Sequence, residues 1–293
     1  MQISFAAPKA AIAAGSWVVA SAEGSVLSPA AKKADAASGG ALSRALAVSR
    51  FTGKSGQMLE LLAPAGMKAS RILLTGLGKP EALDAKAVET LGAEIVAKLR
   101  ALGETNAMIE IEAPGAKLKS GEIAAHLAFG ARLRAYRFEK YRTKNLDEYE
   151  MKLAALTFAA KDPAAARKAY AGLEAVADGV FLARDLINEP PNILYPAEFA
   201  KRAKAALSKL GVKVEVLGEA EMKKQGFGAL LGVGQGSARE SQLLVMRWEH
   251  GKKGAAPAAF VGKGVCFDSG GLSLKPGGSM MGMKGDIDRK SVV

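Results

Sequence analysis

Apolar and polar positions along the chain alternate between two periods. Short apolar runs at 57–62, 71–77, 107–111 and 153–159 have the length and composition of strands. Residues 84–102 and 121–141 between them read as amphipathic helices, the first with Asp84 as its N-cap and Gly103 as its stop. Asp162-Pro163 predicts a long helix, in which Leu173, Val176, Val180, Ala183 and Ile187 recur at steps of three or four. Asn188-Glu189-Pro190-Pro191 ends it, because proline removes a donor and clashes with a continuing helix. Beyond it come a helix over 196–210 closed by Gly211, a strand marked by Val212, Val214 and Val216, a short helix over 219–225 stopped by Gly226, and strands at 242–248 and 258–266. The stretch 28–40, rich in Ala, Ser, Gly and Lys, reads as a loop or a frayed helix. Strands separated by helices imply right-handed crossovers and a mostly parallel sheet. The chain is α/β, with a first domain over 1–160 and a linker helix and second α/β domain over 161–293.

Composition leaves that picture in place and narrows the setting. A chain of 293 residues suits about two domains, and 49% hydrophobic with 24% charged residues is ordinary for a globular protein. Cys266 is the single cysteine, so no internal disulfide forms, which fits a reducing compartment. No apolar run approaches the ~20 residues that span a bilayer. No basic residue precedes Lys9, and Gly15-Ser16 interrupts the apolar stretch at 10–20, so a secretory signal is not expected and the chain reads as cytoplasmic. The formal charge of +12 raises the possibility of a nucleic-acid or membrane-surface partner. Its densest stretch is Arg132, Arg134, Arg137, Lys140, Arg142 and Lys144, interleaved with Tyr136, Phe138 and Tyr141. Such a stretch is more often one solvated helix face with its aromatics turned inward.

Few residues offer chemistry. The two histidines, His126 in a helical pattern and His250 in a turn, have no partners that would build a Ser-His-Asp triad, and their number excludes a His-rich zinc site. Gly76-Leu77-Gly78 lacks the third glycine of a dinucleotide fingerprint, and Gly262-Lys263-Gly264 lacks the P-loop frame. The informative segment is 261–276, Val-Gly-Lys-Gly-Val-Cys-Phe-Asp-Ser-Gly-Gly-Leu-Ser-Leu-Lys-Pro. An apolar strand there ends at Asp268 among small residues, and ligand groups favour the carboxyl ends of strands in open parallel sheets. Lys263 and Lys275 flank Asp268, and Asp286 follows. A carboxylate-based site for Mn²⁺, Mg²⁺ or Zn²⁺ is one reading, and a surface turn with salt-bridged Lys and Asp is the other.

The segment resembles the pattern of the leucyl aminopeptidase (cytosol aminopeptidase) family, V-G-K-G-x-x-F-D-[ST]-G-G-x-S-x-K-P followed by M-K-x-D-M-G-G. Arg184 through Asn192, Gly228 through Ser237, and Tyr136-Arg137-Phe138 resemble the same family, in the same order. The resemblance implies a macro-like α/β N-terminal domain, then a mostly parallel-sheet catalytic domain built around two divalent metal ions, Mn²⁺ or Zn²⁺. It implies an exopeptidase that releases N-terminal residues such as leucine from peptides through a metal-activated water. Lys263 matches the lysine whose neutral amine binds one metal, since an ammonium has no lone pair. Asp268 matches the carboxylate that bridges both metals, and Asp286 a further ligand of the metal that Lys263 binds. Lys275 matches the catalytic lysine that polarises the scissile carbonyl. Met283 matches a residue lining the pocket for the first side chain. The family also implies a bicarbonate base and a homohexamer. The rival reading is nucleic-acid or nucleotide-ligand binding through the basic N-terminal domain.

The match fails after Asp286. The family continues M-G-G-A-A and later N-T-D-A-E-G-R, which supplies two more acidic ligands and the arginine that holds bicarbonate; this chain reads Ile287-Asp288-Arg289-Lys290-Ser291-Val292-Val293. The last six residues are those that the frame GAT-CGG-AAG-AGC-GTC-GTG of a common sequencing adapter would encode. Residues 288–293 are therefore expected to be a non-native tail on a truncated family member, one that is inactive as written.

Overall fold

In the computed structural model, residues 1–8, 14–145 and 152–288 are described, the last three in their backbone only. The chain divides into two units, Met1–Phe181 and Leu182–Val293.

The first unit is a sheet with helices on both faces. Its strands are β1 (Gln2–Ala6), β2 (Ser16–Ala22), β3 (Val26–Leu27), β4 (Met58–Leu62), β5 (Arg71–Gly76), β6 (Asn106–Ile109) and β7 (Ala155–Ala159). They lie in the order β1-β7-β6-β2-β5-β4, with β3 paired to β2. The pairs from β1 to β5 are parallel, and β3 and β4 are antiparallel additions. Successive side chains on a strand point to opposite faces. Trp17, Val19, Ile72 and Leu74 therefore meet α1 (Pro29–Ala37) and α2 (Ala41–Val48) on one face. Val18, Leu73, Ile109, Leu156 and Phe158 meet α3 (Ala85–Ala101), α4 (Ser120–Ala135) and the first turns of α5 (Pro163–Asn188) on the other. Covering on both faces explains why β2 is a continuous buried run rather than an alternating one.

Two helices depart from the sequence expectation. The stretch expected to be a loop or frayed helix is the regular helix α1. Ser28 Oγ accepts from the Ala31 amide at 3.2 Å, Pro29 opens the first turn, and Ala30, Ala31 and Ala34 are fully buried against the sheet. Tertiary packing of a small-residue face, which local composition does not reveal, makes the helix. Helix α4, expected to reach residue 141, stops at Ala135 because Tyr136 turns to an extended conformation (φ −55°, ψ 136°). The Tyr136 ring packs on Phe181 with centroids 5.2 Å apart, and the Arg132 guanidinium lies 5.7 Å from the same ring while bonding Glu174 at 3.0 Å. The first residue of the basic stretch is thus engaged within its own unit.

Helices α3 and α4 cross at backbone contact. A Cβ on Gly130 would lie 1.8 Å from the Glu89 carbonyl oxygen, and one on Gly92 would lie 2.2 Å from that of Leu127, so glycine is required at both positions. His126 Nδ1 and Glu89 Oε1 are 2.8 Å apart across the same crossing, a satisfied histidine as its sequence context suggested. Asp84 caps α3 by accepting from the Ala87 amide at 2.8 Å, and Asp162 accepts from Ala165 at 3.0 Å at the start of α5.

Glu110 follows β6 and is buried between the sheet and α1. Its Oε2 accepts from Trp17 Nε1 at 3.2 Å, and Lys33 Nζ approaches Oε1 at 3.8 Å. Burial raises the Glu110 pKa above the ordinary carboxylate value, against the opposing pull of Lys33 and Trp17; Glu112 nearby adds to the rise. A raised folded-state pKa means a stabilising contribution present below the unfolded pKa and lost as pH rises through the folded one. Glu110→Gln, which cannot ionise, is expected to raise the urea midpoint at pH 7 and to leave it nearly unchanged below about pH 4. A Gln variant less stable than wild type at pH 7 would contradict this account.

In the second unit, the end of α5 is followed by α6 (Pro196–Ser208), β8 (Lys213–Leu217), α7 (Glu219–Lys224), α8 (Gly228–Gly234), β9 (Leu243–Arg247) and α9 (Gly277–Met280). Glu189, almost fully buried, accepts from Arg202 at 2.9 Å, and Arg202 also donates to Glu198 at 2.8 Å, which pins α6 to the turn that ends α5. Helix-separated strands predict parallel pairing here, but β8 and β9 pair antiparallel, with Glu215 opposite Val245. The strand expected over 258–266 is absent: no described strand pairs with it, and Phe260 and Val261 are 85% and 66% exposed. A strand needs a partner for its backbone groups, so an apolar run without one stays irregular. Limited trypsin digestion is expected to cut first within 249–276 and to leave an N-terminal piece that extends past residue 160. A first cut inside the β2–β5 region would contradict this.

Candidate metal and catalytic site

The segment 263–275 turns tightly on its glycines. Gly270 has φ +94°, and a Cβ there would lie 2.1 Å from the Ser273 carbonyl oxygen, so no other residue fits. The Ser273 amide donates to Gly270 O at 3.2 Å and the Lys275 amide to Ser269 O at 2.9 Å, closing the loop. Pro276 then accepts from the Ser279 and Met280 amides at the start of α9.

Within this loop, the Lys275 ammonium lies 2.7 Å from Asp268 Oδ2 and 3.3 Å from the Asp268 carbonyl oxygen. Asp268 Oδ1 accepts from the Gly270 amide at 2.9 Å. The Lys275 hydrogen bond, the Gly270 amide and the nearby charges of Lys275 and Lys263 hold the Asp268 carboxyl below the usual carboxylate range. Cys266 is buried, as the sequence suggested, though outside any strand, and burial pushes its thiol up to about 11. Lys284 donates to the Asn188 carbonyl at 3.1 Å, which ties the turn after α9 to the end of α5.

Three of the sequence-predicted residues, Lys263, Asp268 and Lys275, come together in this loop. Met283 is half-buried in a 3₁₀ turn over Met283–Asp288. Asp286 lies in the same turn, its side chain outside the described residues, and 289–293 of the expected tail also lie outside them. Among the described residues no group of three or more His, Cys, Asp or Glu side chains could hold a metal ion. The described side chains therefore do not compose a metal centre on their own: Asp268 is of the right chemistry, but an ammonium occupies it. Sequence reasoning missed the Glu189–Arg202–Glu198 network, for which the i,i+4 spacing of Glu198 and Arg202 behind Pro196 was the available signal.

Known proteins resemble this chain in sequence and in fold. Residues 18–145 match the profile of the cytosol aminopeptidase family, N-terminal domain, and residues 181–288 that of the cytosol aminopeptidase family, catalytic domain. A probable cytosol aminopeptidase of Bradyrhizobium sp. is 54% identical over 256 residues, which cover 86% of this chain and 51% of the relative. One of Caulobacter vibrioides is 48% identical over 272 residues, covering 92% and 54%. Among solved structures, the bottromycin maturation enzyme BotP in complex with Mn superposes with a TM-score of 0.68 at 26% identity, covering 94% of this chain and 53% of that one. A tomato leucine aminopeptidase mutant shares the fold, with a TM-score of 0.70 at 24% identity over 83% of this chain and 50% of that one. The chain spans about half the length of the curated relatives it matches. No helix of the described residues is long and apolar enough to cross a membrane. With both profiles in their order around α5, and relatives near half-identical along most of its length, the chain belongs to the cytosol aminopeptidase family.

Proposed function

We propose that these 293 residues carry the N-terminal domain and the first part of the catalytic domain of a leucyl-type metallo-aminopeptidase. The complete enzyme would release N-terminal residues such as leucine from peptides. The observation that carries the reading is the single loop in which Asp268 is held 2.7 Å from Lys275 and within the field of Lys263. Two divalent ions, Mn²⁺ or Zn²⁺, supply an activated water and a positive centre for the substrate when bound in such a site; the similar enzyme BotP, solved in complex with Mn, supports the choice. In this proposal Asp268 and Asp286 offer hard oxygen ligands and Lys263 an amine nitrogen. Lys275 places a cation where charge develops on the scissile carbonyl oxygen. Met283 lines the pocket for the first side chain. Bicarbonate, a homohexameric assembly and a cytoplasmic setting belong to the same proposal for the complete enzyme. So does the division at about residue 160, with the linker helix opening the catalytic part.

By itself the chain is proposed to be inactive, because after Asp286 its sequence departs from the family pattern that carries the further acidic ligands. Residues 288–293 are proposed to be a non-native tail. Joining residues 1–286 to the remaining catalytic segment of the Bradyrhizobium relative tests the function. The chimera is expected to hydrolyse leucine amide and to leave N-acetyl-leucine amide intact, since the free amine is the anchor. Equal hydrolysis of both would overturn the exopeptidase reading.

A further inference from the structure

We propose that Glu110 is a proton-operated latch on α1: the helix is held to the sheet while Glu110 is protonated and loosens when it ionises. The latch lies in the first unit and is independent of the metal reading above.

Glu110 is 1% exposed, and its backbone amide donates to the Val18 carbonyl at 2.9 Å, which fixes it against β2. Trp17 from β2, Lys33 from α1 and Glu112 two residues on are the groups that face its carboxyl. The Trp17 indole bonds Oε2 at 3.2 Å. Oε1 accepts no hydrogen bond among the described residues, and Lys33 Nζ stays 3.8 Å away, beyond hydrogen-bond reach. An ionised carboxylate placed in this way is costly to bury, and a protonated one much less so. Lys33 and Trp17 pull Glu110 toward the ionised form, but burial, reinforced by Glu112, outweighs them, so the proton is held to a higher pH than usual. The covering helix is light. It has nine residues, too few to be helical alone, and it meets the sheet through Ala30, Ala31 and Ala34. Glu112 accepts the Ala30 amide at 2.8 Å and Ser28 the Ala31 amide at 3.2 Å, which fastens the first turn. Lifting α1 returns Glu110 to water, where its carboxyl titrates in the ordinary range. A group that titrates higher when covered stabilises the covered state below the ordinary value, and that contribution is lost as pH rises to the raised one. The helix therefore opens more often as pH rises through this window, and no further above it.

Native-state hydrogen exchange of the full 293-residue chain tests the latch, with rates corrected for the intrinsic pH dependence of amide exchange. The α1 amides are expected to be less protected than those of α3, which buries Val88, Leu91, Ile95, Val96 and Leu99, because α1 lifts without unfolding the unit. In the wild type, α1 protection is expected to fall by up to about tenfold for each pH unit between about 4.3 and the raised Glu110 value, since opening releases one proton. Glu110→Gln has no proton to release and is expected to abolish that fall. Lys33→Met removes the pull toward ionisation and is expected to extend the fall to higher pH. Lys33 is half-exposed, so the variant is expected to keep its fold, and the wild-type pH series needs no variant at all. Equal protection of α1 and α3 would mean that the helix opens only when the unit unfolds, and would overturn the latch. So would α1 protection that is constant with pH, or a fall that survives Glu110→Gln.

Discussion

Incubated with Mn²⁺ and leucine amide, the 293-residue chain is expected to release ammonia no faster than buffer. Two-metal hydrolysis needs several ligands fixed around ions a few Å apart. The described residues offer no such group, and the ammonium of Lys275 occupies the one carboxylate in the glycine-rich loop. The apolar run that leads to Asp268 has no partner strand among the described residues. The expected shortfall against a complete relative is at least about 10⁶-fold, the lower end of enzymatic rate enhancement. The assay is ammonia release by the purified chain, with Asp268→Ala as the control for contaminating peptidase. Hydrolysis that follows the chain through purification and disappears in Asp268→Ala would contradict the expectation.

Trp17→Ala is expected to have the largest effect on stability. Trp17 is fully buried on β2, in the cluster that α1 and α2 close over, and its indole N–H donates to the buried Glu110 carboxylate. Truncating a large buried aromatic costs about 3–5 kcal/mol through lost burial and the cavity left behind. The loss of a donor to a buried carboxylate adds to it. Native proteins are stable by only about 5–15 kcal/mol, so the first unit would be brought close to unfolding. Urea unfolding followed by circular dichroism reads the effect. Leu272→Ala is the comparison: Leu272 is fully exposed, and its loss is expected to stay within about 0.5 kcal/mol. Equal shifts for the two variants would contradict the assignment of the core.

Local chemistry and long-range pairing explain what could be read from the sequence. The caps at Asp84 and Asp162 and the proline stop after Asn188 are local signals, and the structure places them as expected. The strands 58–62, 71–76 and 155–159 follow from short apolar runs, which need little context. Helix α1 was hidden because its determinant is the burial of three alanines against β2, a contact the local sequence does not encode. Tyr136 misled because an aromatic at helical spacing continues a helix unless a distant ring, here Phe181, draws it away. The run 258–266 carries a strand pattern without a described strand to bond to, so pattern and structure diverge there. At the candidate site, Asp268, Lys263 and Lys275 were legible as a group because their spacing within one glycine-rich loop is local. The 2.7 Å contact of Lys275 with Asp268 is of the kind that the salt-bridged-turn reading expected; that Lys275 is the lysine in direct contact was not legible, since the turn at Gly270 sets it. The role of Glu110 was hidden for a similar reason: a lone charge in an apolar run does not reveal the tryptophan and lysine that meet it from β2 and α1.

In the proposed function, Asp268 and its loop begin a metal-dependent aminopeptidase site. The most direct measurement is leucine amide hydrolysis by the chimera of residues 1–286 with the remaining catalytic segment of the Bradyrhizobium relative, compared with the same chimera carrying Asp268→Ala. Mn²⁺-dependent hydrolysis that is lost on removal of Asp268 is the predicted result. Hydrolysis unchanged by Asp268→Ala, or a folded chimera that binds Mn²⁺ and does not hydrolyse leucine amide, would contradict the claim.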